Sequence, residues 1–417
     1  MSSDGFTDEG LAALDAALAR HTSTGAVPGL VALVARGGQV HVTSAGHKAI
    51  GDSTPVGRDA IFRISSLTKP ITGVAAMLLI EDGAMALDDP VERWLPELSA
   101  RRVLRSYDAE LSDTVPARRP ITVEDVLSFR LGFGNVFTPE PLPIVQAAEE
   151  ELKLRTLGPP WPPTPHNPDQ WIAALGSLPL IDQPGERFRY NTGAMVAGIL
   201  IERVTGAPFA EVLSKGVFEP LGMADTAFYV PAAKLARFTS MYAPREAAAV
   251  FGASGDAAGQ DGANTGDLVL IDRPDGWYAA PPALADGGAG LVSTIDDLGA
   301  FAAMLAADGG GLLSEEPVAQ MLRDRTTERD RAENRWFFGE NLGWGLTMSV
   351  PAAVVEPRTA KDGMPRGYGW AGGSGTAWRT DPETGLTGIL LTQRMLASPE
   401  PPEVARDFWS CAYAALA

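Results

Sequence analysis

Ser66-Leu67-Thr68-Lys69 places a hydroxyl and an amine three residues apart. On a helix, positions i and i+3 share a face, so this spacing brings Lys69 beside Ser66. A serine hydroxyl is a weak nucleophile until a neighbouring base takes its proton. An amine in apolar surroundings loses part of its preference for the charged form and can serve as that base. A serine at a helix start also turns its own backbone N–H toward an oxyanion formed at its oxygen. The plainer alternative is a serine helix cap with a snorkelling first-turn lysine, and the tetrapeptide alone leaves both open. Pro70 makes the first turn irregular, because it has no N–H for the Ser66 carbonyl.

Two further segments carry chemistry. Tyr190-Asn191-Thr192-Gly193 follows the Gln183–Glu186 turn. A tyrosine near an ammonium is expected to have its phenol pKa lowered and to relay a proton to a leaving group. The alternative is a core or rim aromatic. Gly369-Trp370-Ala371-Gly372-Gly373-Ser374-Gly375-Thr376 lets backbone approach a ligand closely. As an edge strand it would supply a second oxyanion N–H; as a glycine-rich hairpin it would supply none. No G-x-S-x-G elbow occurs, since Gly252-Ala253-Ser254-Gly255 ends in Asp256. His21, His41, His47 and His166 lack paired ligand spacing, and Cys411 is the single cysteine. Neither a metal site nor another cofactor is expected, and an intrachain disulfide is excluded.

The elements that position these residues follow from periodicity. Thr7 caps a helix over residues 8–21, and Gly29–Ala35 with Val40–Ala45 reads as a hairpin around Gly37-Gly38. Leu67–Glu81 is apolar on nearly every side, which places that helix inside the molecule. Short helices are expected at Val91–Leu98, Val123–Ser128, Gln170–Leu175, Asn191–Val204 and Phe209–Phe218. Leu157–Pro168, with six prolines, reads as a surface loop, and 250–285 as a loop or flap. Thr294 or Ser293 caps Asp296–Ala307. Strand-like runs at Trp344–Val350, Thr376–Arg379 and Leu386–Thr392 precede a final helix, Pro402–Ala415. The expected class is α/β (α+β): residues 1–83 and 285–417 share an antiparallel sheet flanked by terminal helices, and 84–284 form an inserted, mainly helical domain.

Composition narrows the partners. The chain has 417 residues, 45% of them hydrophobic and 21% charged, with a formal net charge of −18. That field repels polyphosphate and anionic lipid, so nucleic acid and membrane surfaces are not expected partners. The opening MSSDGFTDEGLAALDAALARH has no basic start followed by an apolar stretch, and no 18-residue apolar run occurs. A cytoplasmic location is expected, with oligomeric state unassigned.

Together the segments resemble the serine β-lactamase superfamily, in the branch of class C β-lactamases and family VIII carboxylesterases. Phe62–Thr72 is similar to that family's nucleophile segment. Leu87–Val91, Ile121–Leu127, Phe218–Met223, Gly287–Thr294, Trp378–Pro382 and Leu390–Gln393 follow in the family's order. The resemblance implies acyl-enzyme chemistry at Ser66, with Lys69 and Tyr190 sharing the base and acid roles. It further implies an oxyanion hole from the N–H groups of Ser66 and Gly373, and substrate contacts from Asn191, Trp370 and Gly372. Two departures stand out. Where the family has K-T-G, this chain has Trp370-Ala371-Gly372, which favours a neutral substrate unless Arg366 or Arg394 restores a cation. Where it has Y-x-N, Asn191 follows Tyr190 directly. The expected activity is a carboxylesterase on small neutral esters, with amide hydrolysis, acyl transfer or a non-catalytic scaffold as alternatives.

Overall fold

Gly29–Arg36 (β1) and Gln39–Gly46 (β2) form the hairpin, pairing from Gly29 with Gly46 to Arg36 with Gln39. Gly37 and Gly38 take φ of 56° and 83°, the left-handed pair that a two-residue turn needs. A computed structural model of the chain describes residues 5–136, 138, 142–156, 161–248, 267–339, 341–352, 366–398 and 400–417. The main sheet is completed by Leu342–Trp344 (β3), Ser349–Pro351 (β4), Tyr368–Gly372 (β5), Thr376–Asp381 (β6) and Leu386–Thr392 (β7). Its order is β2-β1-β7-β6-β5-β4-β3, every adjacent pair antiparallel.

The sheet is covered on both faces, which explains why β7 is buried along its whole length and β1 from Gly29 to Val34. Leu30, Ala32 and Val34 of β1 meet Leu386 and Leu390 of β7 under two terminal helices, Asp8–Ser23 (α1) and a C-terminal helix that ends at Ala414. Val31 and Leu33, on the opposite face, join the large core. That core holds Thr68–Glu81 (α2), Thr192–Thr205 (α3) and Ile295–Ala306 (α4). The closing helix, Glu403–Ala414 (α5), sets Phe408 and Trp409 against the sheet. Every residue from Thr68 to Met77 is buried, as an all-round apolar helix requires. The mixed architecture matches the expected class. No helix among the described residues is long and apolar enough to cross a membrane.

Several expectations need correction. Trp344–Val350 is two short strands, because Thr347 at φ 64° turns the chain between them. Leu268–Asp272, within the expected 250–285 flap, is a strand paired with Met241–Pro244. Residues 249–266, including Gly252–Asp256, lie outside the described residues. Trp161, expected in a surface loop, is buried against Tyr278. Val91–Leu98 is two separate single turns, Val91–Arg93 and Pro96–Leu98.

Candidate active site

Ser66 lies in the single turn Ser65–Leu67 that leads into α2. Ser65 has φ 44°, and its buried hydroxyl has no partner among the described residues. A side chain in the left-handed region costs about 1–2 kcal/mol, so its neighbours must impose it. They do so from several elements. Ser374 Oγ donates to the Arg63 carbonyl at 2.6 Å, and Thr376 Oγ1 donates to the Ile64 carbonyl at 3.0 Å. Ile64 N donates to the Leu291 carbonyl at 3.1 Å, and Thr68 Oγ1 donates to Ser65 O at 2.7 Å. Arg63 itself donates to Asp272 Oδ2 from Nε at 2.9 Å and from Nη2 at 2.6 Å. Its Nη1 donates to the Thr239 carbonyl at 2.6 Å.

Lys69 is 0% exposed. Its Nζ donates to Ser66 Oγ at 3.0 Å and to the Gly288 carbonyl at 2.6 Å. It also lies 4.6 Å from the centre of the Tyr190 ring. Burial pulls the ammonium pKa down to about 7, against the opposing pull of Asp286. At neutral pH the lysine is therefore poised between its two forms.

Tyr190 completes the group. Its hydroxyl hydrogen-bonds the Ser66 side chain and accepts Trp370 Nε1 at 2.8 Å. The expected lowering of its phenol does not occur. Burial pushes it far above the usual tyrosine range, and the two hydrogen bonds only partly offset that. The physical reason is that burial takes away the water that would solvate a phenolate. Tyr190 is a neutral phenol at working pH.

The glycine segment forms β5 and the turn to β6. Only Gly369 of β5 pairs with β4, opposite Ser349, while Trp370, Ala371 and Gly372 pair with β6 alone. The outer edge of this part of β5 runs past the nucleophile turn. A Cβ at Gly372 would collide with the Ile64 carbonyl and Thr376 Oγ1, so glycine is what lets the strand approach. Gly373 sits in the following turn, partly exposed, and its carbonyl accepts Leu396 N at 2.9 Å. Asn191 caps the start of α3. At φ 81° and 2% exposure, its Nδ2 donates to the Thr156 carbonyl at 2.6 Å. The absent residue between Tyr190 and Asn191 turns the amide into a tie between α3 and the 149–156 segment.

The sequence model of the beta-lactamase family matches residues 14–407. The chain belongs to the beta-lactamase family. An uncharacterised Mycobacterium tuberculosis protein is 34% identical over 85% of this chain and 82% of its own length. Esterase EstB of Burkholderia gladioli is 29% identical, over 87% and 85%. Among solved structures, EstCE1, a hydrolase with promiscuous acyltransferase activity, superposes with a TM-score of 0.75. That match is 24% identical and covers 97% of this chain and 99% of the other. Unliganded simvastatin synthase from Aspergillus terreus gives 0.76 at 22% identity, covering 98% and 99%. The two structures carry the fold, and the sequence relatives place this beta-lactamase-family chain among β-lactamase-like proteins that include esterases.

Arg366 and Arg394 each have a partner of their own. Arg366 Nη1 donates to Glu383 at 3.1 Å, and Arg394 Nη1 donates to the Ala26 carbonyl at 3.1 Å. Three contributors escaped sequence reading. The Gly288 carbonyl holds Lys69, within the Gly287–Thr294 motif. Asp286, directly before that motif, caps its turn by accepting Gly288 N at 2.6 Å. Phe337 and Trp344 brace Tyr190 and Trp370, with ring centres 4.6–5.9 Å apart. Gly288 and Asp286 had a sequence signal, lying within and directly before the motif; Phe337 and Trp344 had none.

Proposed function

We propose that this chain is a serine hydrolase that forms an acyl-enzyme on Ser66 and acts as a carboxylesterase on neutral esters. The observation that carries the reading is the fully buried Lys69 amine, 3.0 Å from Ser66 Oγ. Neutral Lys69 takes the Ser66 proton as Oγ attacks the ester carbonyl, and a C–O bond forms. The N–H groups of Ser66 and Gly373 face the resulting oxyanion. As the intermediate collapses, the ester C–O bond breaks. The departing alkoxide takes a proton from Tyr190, which recovers it from the Lys69 ammonium. Water then attacks the acyl-enzyme carbonyl and gives a proton to the same lysine–tyrosine pair; the C–Oγ bond breaks, the pair returns that proton to Ser66 Oγ, and the acid leaves.

The neutral indole of Trp370, standing where the family carries a lysine, supports a substrate without a carboxylate. The test is turnover of p-nitrophenyl acetate and butyrate beside nitrocefin, with Ser66→Ala in parallel. The expected result is ester hydrolysis that the variant loses by at least ~1000-fold, with little nitrocefin opening. Unchanged ester turnover in Ser66→Ala would sink the reading. Transfer of the acyl group to an added alcohol, in preference to water, would assign acyl transfer instead. That outcome has a specific motive, because EstCE1, of the same fold, is a hydrolase with promiscuous acyltransferase activity.

A further inference from the structure

Two rings brace the Tyr190–Trp370 pair, and they are held in different ways. Trp344 is buried in β3 and fixed by its pairing with Ser349 of β4. Its ring centre is 5.9 Å from that of Tyr190 and 4.6 Å from that of Trp370. Phe337 touches the same two rings at 4.7 Å and 5.0 Å. It is only half-buried, and it sits in the short helix Arg335–Phe338, which follows another, Glu328–Glu333. Helices of one turn or so have no stability of their own, so tertiary contacts must hold Phe337 in place.

Asp330 supplies such a contact. The residue is 1% exposed. Its Oδ2 accepts Thr327 N at 2.9 Å and Thr327 Oγ1 at 2.8 Å, which closes the capping box of Glu328–Glu333. Its Oδ1 reaches out of that helix and accepts Phe188 N at 2.8 Å, 142 residues away in sequence and two before Tyr190. Arg130 Nη2 lies 3.7 Å from Oδ2 and supplies a counter-charge. Only a carboxylate accepts on both sides at once, because an amide has a single oxygen. The strand it grips is itself fixed. Arg189 N donates to the Phe129 carbonyl at 2.7 Å, and the Tyr190 carbonyl accepts Asn135 N at 3.0 Å. Phe188 then packs on Phe338 and Phe337, with ring centres at 4.9 Å and 5.9 Å.

We propose that Asp330 is a positioning residue for the proton-donating step: it latches residues 328–338 to the Tyr190 segment, so that Phe337 keeps the Tyr190 and Trp370 rings in register. Trp370 Nε1 occupies one side of the phenol oxygen at 2.8 Å, which leaves the phenol proton aimed at Ser66 and the departing oxygen. When Phe337 shifts, that aim is lost and the alkoxide is protonated less often. Lys69 reaches Ser66 by its own 3.0 Å contact, so the attack is spared. The proposal rests on the Ser66 reading above and adds the residue that governs one step of it.

The test compares kcat/KM for two butyrates of similar shape, the p-nitrophenyl and the 4-nitrobenzyl ester. The nitrophenolate leaves without a proton, whereas the benzyl alkoxide needs one. Asp330→Asn turns an N–H2 against one of the latch donors. It should lower turnover of the 4-nitrobenzyl ester by ~10-fold or more and keep the p-nitrophenyl ester within ~3-fold of wild type. A merely structural role lowers both by the same factor. Phe337→Ala, at a half-buried position, should shift the ratio the same way and keeps the test open if Asp330→Asn fails to fold. Arg329→Ala removes the exposed 2.9 Å pair with Glu333 from the same helix and should leave the ratio at the wild-type value. A ratio that moves equally in Arg329→Ala assigns the effect to helix fraying and overturns the latch. Ser66→Ala separates the two readings. If it keeps turnover of both esters, the Ser66 chemistry fails. If it loses both while Asp330→Asn and Phe337→Ala leave the ratio unmoved, the latch alone fails. A wild type inert toward the 4-nitrobenzyl ester also overturns the proposal.

Discussion

A lysine with no exposed surface exchanges its proton where its surroundings dictate, and Lys69 does so at about 7. As pH rises through that value the amine becomes a base, so kcat/KM for p-nitrophenyl acetate should climb and then level off. No second limb is expected below pH 10, because burial keeps Tyr190 protonated. Stability follows the same proton. Between about 7 and the ordinary lysine value of 10.5, the unfolded chain holds a proton that the folded chain has lost. Stability should therefore rise with pH across that window. Chemical denaturation at pH 7 and 9.5 checks this, and Lys69→Met should remove its part of the slope together with 100-fold or more of the activity (about the worth of a general base). Trp370 acts on the same proton path by donating to the Tyr190 oxygen. Trp370→Phe keeps a ring and loses one hydrogen bond, so kcat should fall by about 3–10-fold, measured on the same ester.

Elements explain why the nucleophile stands where it does. The turn before α2 holds Ser65 at φ 44° with an unpartnered hydroxyl. Ser65→Gly removes both penalties, so the denaturation midpoint should rise by an amount worth about 1 kcal/mol. A lower midpoint would show that the turn is not strained. Much of this element was legible beforehand. The all-round apolar pattern announced α2, and Pro70 announced an irregular start, which is the tight turn now seen. The hairpin of β1 and β2 was equally plain from its glycine pair. Trp344–Val350 misled, because an apolar run of strand-like residues hides a turn at Thr347 that costs no hydrophobicity. The Asn191 Nδ2 contact to the Thr156 carbonyl, 35 residues back along the chain, is a partner that residue type alone does not name.

At the scale of the molecule, the site is held by contacts that no local pattern contains. Arg63 and Asp272 are 209 residues apart, yet both are buried and paired beside the nucleophile turn. Asp272→Ala would leave a buried guanidinium without its counter-ion, which costs about 3–5 kcal/mol. The unfolding midpoint should drop accordingly, and ester turnover should be lost at lower temperature than in the wild type. Such a pairing escapes sequence reading because charge alone names no partner. The covering of β1 by α1 and α5 was accessible, since unbroken apolar strands need two cover layers. The sheet order has a temporal consequence. The hairpin of β1 and β2 leaves the ribosome first, but β1 waits for β7, where Leu30 meets Thr392. Until then the apolar β1 edge that β7 will cover stays open, ready to pair with any other strand. Chaperone capture during synthesis, and slow refolding from denaturant, are the expected marks of a sheet whose second seam is made last.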